Sequence, residues 1–185
     1  MKEIKEIIKT LEGLKLVMDN IYIGVEKFRL NTPKEIRPMP YGMADLCQYL
    51  YVRLYDEETE EYTKISIPKD ICTDTSFLWD AAMKNTKDES GYLVFGPAMY
   101  AVTNHKTNGA AAILAPGILE EIAKKIHTRR FVVLPSSIHE FILHPVNSQP
   151  SKEKMEEFHE MVRTVNAQEV APEEQLSDHA YYIVI

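Results

Sequence analysis

Cysteine is almost missing. Cys47 and Cys72 are the only two in 185 residues. Two thiols make no disulfide framework, so both are expected free in a reducing compartment, and the expected location is cytoplasmic. Long apolar runs are missing too. No stretch approaches the ~20 residues a membrane helix needs. Lys2, Glu3, Lys5, Glu6 and Lys9 break every apolar run near the start, so no secretory signal is expected there. Basic charge is in short supply: 21 Lys and Arg against 28 Asp and Glu leave a net charge of −7. A nucleic-acid binder normally carries a basic patch. Here Lys124-Lys125 and Arg129-Arg130 are diluted by Glu120 and Glu121, and direct nucleic-acid binding is not expected. There is no Gly-rich phosphate loop and no Cys-x-x-Cys, so no cofactor is expected.

What is present is ordinary globular composition, 45% hydrophobic and 26% charged. The length fits one domain, residues 1–185, able to bury its own core. Ile4, Ile7, Ile8, Leu11 and Leu14 fall at helical spacing, so residues 3–17 read as an amphipathic helix, with residues 1–18 a peripheral element that docks on the core or on a partner. Residues 21–30 read as a strand. Pro33, Pro38 and Pro40 argue against regular structure between them. Residues 44–55 alternate, with Leu46, Gln48, Leu50, Val52 and Leu54 on one face and Tyr49, Tyr51, Arg53 and Tyr55 on the other. With residues 62–67 they make a hairpin tipped by an acidic loop.

Asp74 or Thr75 caps a helix running to about residue 87, anchored by Trp79. Residues 91–97 read as a loop. Residues 99–103 and 110–114 read as a hairpin turned at Asn108-Gly109. Pro116 opens a helix striped by Leu119, Ile122, Ala123 and Ile126. Residues 131–134 and 141–143 are strands around Pro135-Ser136-Ser137. Ser151 caps a helix with Met155, Phe158, Val162 and Val165 on its stripe, and residues 181–185 close as a strand. The sum is an α+β domain: a mainly antiparallel sheet of six or seven strands, with three or four helices packed largely on one face.

The segment 131–145, with its crowd of Ser, His and Glu, invites chemistry. His139 and His144 are five apart and followed by Pro145, so they lack the i, i+4 spacing of a helical zinc site. In a strand, Glu140 and His144 would stand about 13 Å apart at ~3.3 Å per residue, too far to share a metal. No metal site is expected. Ser136 or Ser137 with His139 suggests a nucleophile and its base, with Glu140 or Asp178 orienting the imidazole. The hydrolase reading therefore names Ser137, His139, Glu140 and Asp178, although Gly-x-Ser-x-Gly is absent. The competing reading of Pro-Ser-Ser is turn chemistry. Residues 151–178 hold eight acids against three bases, which makes an acidic nucleic-acid mimic a third reading beside a solvated helix face.

The chain resembles an uncharacterised bacterial family, a domain of unknown function. The resemblance rests on Trp79-Asp-Ala-Ala-Met-Lys-Asn-Thr86, Met99-Tyr-Ala-Val-Thr-Asn104, Asn108-Gly-Ala-Ala-Ala-Ile-Leu114, Leu134-Pro-Ser-Ser-Ile-His-Glu140, Met161-Val-Arg-Thr-Val-Asn166 and Glu174-Gln-Leu-Ser-Asp178. It covers the last two thirds of the chain, and the N-terminal portion is shorter than is usual for the family. It implies no activity, cofactor or catalytic residue. Such families often sit near mobile genetic elements, which implies an accessory or interaction role. With no complete catalytic constellation in the sequence, the leading expectation is a domain that binds another protein.

Overall fold

The domain is α+β and antiparallel, as its pattern requires, and its alternating segments divide between two sheets. The computed structural model describes residues 10–56, 60–96, 98–104 and 106–185. The first sheet is built on the long strand β3 (Leu46–Asp56). β1 (Ile21–Lys27) pairs along one side of it. On the other side β2 (Ile36–Pro38) and β4 (Glu61–Ser66) lie one after the other. The second sheet has the order β5-β6-β8-β7-β9, from β5 (Gly91–Phe95), β6 (Met99–Thr103), β7 (Arg130–Ser137), β8 (Glu140–Pro145) and β9 (Tyr181–Val184).

The expected helix at the start is described only from Leu11. Its earlier residues lie outside the described ones. α1 (Leu11–Leu16) is capped by Thr10, whose Oγ1 accepts the Gly13 N–H at 3.1 Å, and it buries Leu14 in the core. α2 (Ser76–Glu89) runs beside β1 and closes its open edge. Thr86 Oγ1 accepts the Ile23 N–H, and the Asn85 amide donates to the carbonyls of Met18 and Ile21. At the other end of α2, Glu35 accepts from the Thr75 hydroxyl and the Trp79 indole, a negative charge placed where the helix dipole favours it.

One core joins the sheets. It runs from Leu14, Ile23 and Val52 through Leu78 to Val102, Phe131 and Phe141. A 3₁₀ helix, Gly109–Leu114, lies between β1 of the first sheet and β6 and β8 of the second. α3 (Ile118–Ile126) buries Leu119, Ile122 and Ala123. α4 (Lys152–Gln168) packs on the opposite face of the second sheet, where Phe158 and Val162 meet Val132 and Leu134. Helices therefore lie on both faces of that sheet.

Four local expectations are corrected. Residues 110–114 are the 3₁₀ helix, so the hairpin over 99–114 does not form. Asn108 does take the left-handed conformation expected of a turn, at φ 57°. Residues 91–95 are a strand, not a loop. β2 forms among the prolines, because Pro38 sits at the end of an edge strand, where its missing N–H costs nothing. Pro135, Ser136 and Ser137 belong to β7 and carry a bulge. The chain reverses after them, at Ile138 and His139.

Candidate functional site

The segment that reverses between β7 and β8 is where distant parts of the chain meet. The Ser137 hydroxyl accepts the His139 N–H at 3.1 Å, a local turn bond. The His139 carbonyl accepts from the Thr103 hydroxyl at 2.8 Å. The neighbouring Ile138 N–H donates to the Glu174 carbonyl, and its carbonyl accepts from Ala110. Gly109 is required here. A Cβ on it would stand 2.4 Å from the His139 carbonyl oxygen and 2.5 Å from Thr103 Oγ1.

The His139 ring is held at both nitrogens. Nδ1 accepts the Asn108 N–H at 3.3 Å, and Nε2 lies 3.2 Å from Glu174 Oε1. A ring whose Nδ1 accepts must carry its proton on Nε2, which then donates to Glu174. Of the four residues named for hydrolysis, the structure puts Ser137 and His139 side by side in one turn and Glu140 across from Ser137 in the β7–β8 ladder. Asp178 lies elsewhere, accepting from Asn166 of α4. The carboxylate that reaches His139 is Glu174, 35 residues away in sequence. His144 packs its ring on Phe158, and burial followed by the nearby Lys154 charge lowers its pKa.

Around this turn lies the tyrosine-bearing face of the first sheet. Tyr22, Tyr49 and Tyr51 form their own buried cluster, and Tyr49 lies across Gly24, where a Cβ would come within 2.4 Å of its ring. Burial above all pushes the Tyr51 phenol up to about 12. Lys64 has an exposed side chain whose ammonium reaches Asn108 Oδ1 at 2.6 Å. Desolvation of that ammonium and then Lys34 lower its pKa. Arg53, nearly buried, pairs with Glu89, which also takes Lys106 and the Tyr22 hydroxyl. A cleft of about 440 Å³ opens between Glu26 and Lys34 on one wall and Ile138, Pro172 and Leu176 on the other.

A second polar cluster has no local signal in the sequence. Asp45, just before β3, accepts from Ser177 Oγ at 2.6 Å and from the Tyr181 hydroxyl at 2.6 Å, while His179 Nδ1 lies 3.5 Å from it. Burial raises the Asp45 pKa, but these hydrogen bonds and the His179 charge more than offset it, and the net shift is downward. Ser177 is buried and also accepts the His179 N–H, so its hydroxyl is fully engaged as a clasp between the two sheets. On α4, Arg163 bridges Glu156 and Glu160, and Lys154 holds Glu157. Three of that helix's carboxylates are thus paired with cations, which interrupts the row of free charges that mimicry of nucleic acid requires. Among the described residues no group of three or more His, Cys, Asp or Glu is placed to hold a metal, and no helix is long and apolar enough to cross a membrane.

The other notable surface is apolar. α4 covers β7 and β8 and stops short of β5. Between them is a groove of about 170 Å³, floored by Met99, Leu134 and Ile142 and walled by Phe95, Met161 and Val165. Phe95 is 37% exposed, Met161 49% and Leu93, on the same face of β5, 52%.

These features define an antiparallel α+β domain with a clasped polar turn and a half-covered sheet. The chain belongs to a family of unknown function, DUF5688, whose model matches residues 28–183. That span begins one residue after β1, so β1 and its α2 partner contacts extend the matched domain at its start. No curated protein and no solved structure matches the chain.

Proposed function

We propose that the protein is a binding module for another protein, working in a reducing, cytoplasmic setting, and that the groove beside α4 is its docking surface. The observation that carries this reading is the half-covered apolar face of the second sheet. Monomeric domains rarely leave a contiguous apolar surface open without a use for it. The uncovered part is two strands wide. At ~4.8 Å per strand that is about 10 Å, the width of one helix. An amphipathic helix of the partner, laid beside α4, would bury Leu93, Phe95 and Met161.

The hydrolase reading with Ser137, His139, Glu140 and Asp178 has one observation in its favour, the His139–Glu174 pair near the 440 Å³ cleft. Both imidazole nitrogens are occupied, however, and Ser137 Oγ is spent on the turn, so the binding reading is better supported.

The test places a photo-crosslinking side chain at Met161, at Phe95, and at exposed Leu16 as a control. Crosslinks from the first two positions to one amphipathic helical segment of a single protein are expected, with the Phe95 crosslink lost on Met161→Glu while the melting temperature holds. Equal crosslinking from Leu16, or a captured segment with no apolar stripe, would overturn the reading.

A further inference from the structure

The second sheet ends at β5, which among the described residues pairs with β6 alone. The strand reads Gly-Tyr-Leu-Val-Phe. It has no charge, no proline and, against β6, no bulge. Those are the devices by which edge strands are kept from pairing with another chain. Leu93 and Val94, pointing to opposite faces, are both about half exposed. We propose that β5 pairs antiparallel with β5 of a second copy, giving a two-fold dimer with one continuous sheet.

Two identical strands paired antiparallel make an isologous contact, which closes on itself. With Leu93 on the axis, Tyr92 stands opposite the partner's Val94 and Phe95 opposite the partner's Gly91. An aromatic ring across from glycine fills the space its missing side chain leaves. The charges beside the edge also balance. Tyr92 donates its hydroxyl to Glu121 at 2.9 Å, and Lys125 lies 5.5 Å from the Tyr92 ring centre. One acid and one base of α3 therefore flank β5, so the flank carries no net charge to repel a second copy. A foreign strand would have to supply the glycine opposite Phe95, whereas a second copy has it already.

The dimer goes beyond the docking reading and does not depend on it, but it changes the groove. The open shelves of the two copies meet at β5 and become a single apolar floor, bounded by an α4 on each side. Leu93, Phe95 and Met99 of both copies then face the same occupant.

Sedimentation velocity on the full chain across micromolar concentrations tests this. The wild type is expected as a dimer. Leu93→Lys and Leu93→Glu each put like charges opposite one another at the axis, which weakens the dimer roughly tenfold or more. Mixing the two variants is expected to restore a dimer. Circular dichroism melts of each variant check that the protomer stays folded, as expected for a half-exposed position. A monomeric wild type, an open series of larger polymers, or a dimer indifferent to both charges would overturn the proposal. Met161→Glu leaves the dimer intact, so a failure of the docking groove and a failure of the dimer are read separately.

Discussion

Arg53 donates to Glu89 through both terminal nitrogens of its guanidinium, joining the middle of β3 to the last turn of α2. Burial alone would raise the Glu89 pKa, but the bonds from Arg53, Lys106 and Tyr22 bring it down to about 2. A carboxyl whose pKa is lower folded than unfolded stabilises the fold above its unfolded pKa, and that contribution fades as pH falls toward 2. Glu89→Gln leaves Arg53, 5% exposed, with a weaker partner. It is expected to cost about 3 kcal/mol at pH 7, with the deficit shrinking in acid. Urea denaturation of both proteins at pH 7 and pH 3 checks the magnitude and the sign.

The Asp45 clasp follows the same sign with a smaller size, because its carboxylate is partly exposed. Tyr181→Phe removes one hydroxyl donor and is expected to cost about 1 kcal/mol. The Tyr181 phenol itself is held above the ordinary tyrosine range, first by burial and then by its hydrogen bond to Asp45. A spectrophotometric titration should therefore count the same number of phenols ionising in the normal range in the wild type and in Tyr181→Phe.

Gly109→Ala sets a methyl 2.4 Å from a backbone oxygen that cannot swing aside. The loop around Asn108 must move or the turn at His139 must open. The expected cost is about 3 kcal/mol, seen as a lower melting midpoint. A change of less than about 1 kcal/mol would mean that this junction is softer than its packing.

His139 is expected as the Nε2–H tautomer whenever it is neutral, because Asn108 N–H occupies Nδ1. Nitrogen-15 correlation spectra of the histidine rings report this directly.

The two thiols should behave differently. Cys47 is buried, and burial, followed by the Glu26 charge, pushes its pKa up to about 11. Cys72 is partly exposed. A disulfide reagent at pH 8 is expected to titrate one thiol quickly in the folded protein and two in denaturant.

Strands with clean alternation and helices with a cap and a stripe are legible in the residues. Leu46 to Leu54 and the Ser151 cap of α4 read directly from spacing. The Ala110-Ala111-Ala112 run does not, because a segment buried on every side has no polar face to set a period. β5 is hidden for the opposite reason. Its apolar residues are exposed on both faces, so no inward pattern marks it as a strand. The polar site is the least legible part. Sequence neighbourhood puts His139 beside Ser137, but nothing local points to Glu174 as its partner, and Asp45 lies 132 residues from Ser177. Such pairings are made by the sheet order and leave no mark on the intervening chain.

The Asp45 clasp also bears on how the protein is born. Asp45 leaves the ribosome long before Ser177 and Tyr181 exist, and β7 waits a shorter time for β9. The first sheet can form while the chain is still being made, with the end of β3 carrying an unanswered carboxylate and the second sheet an open side. A nascent chain at that stage exposes two unfinished edges, β5 and β7. A pause in translation before residue 177 would therefore prolong the interval in which neighbouring nascent copies can pair wrongly, through β7 rather than β5.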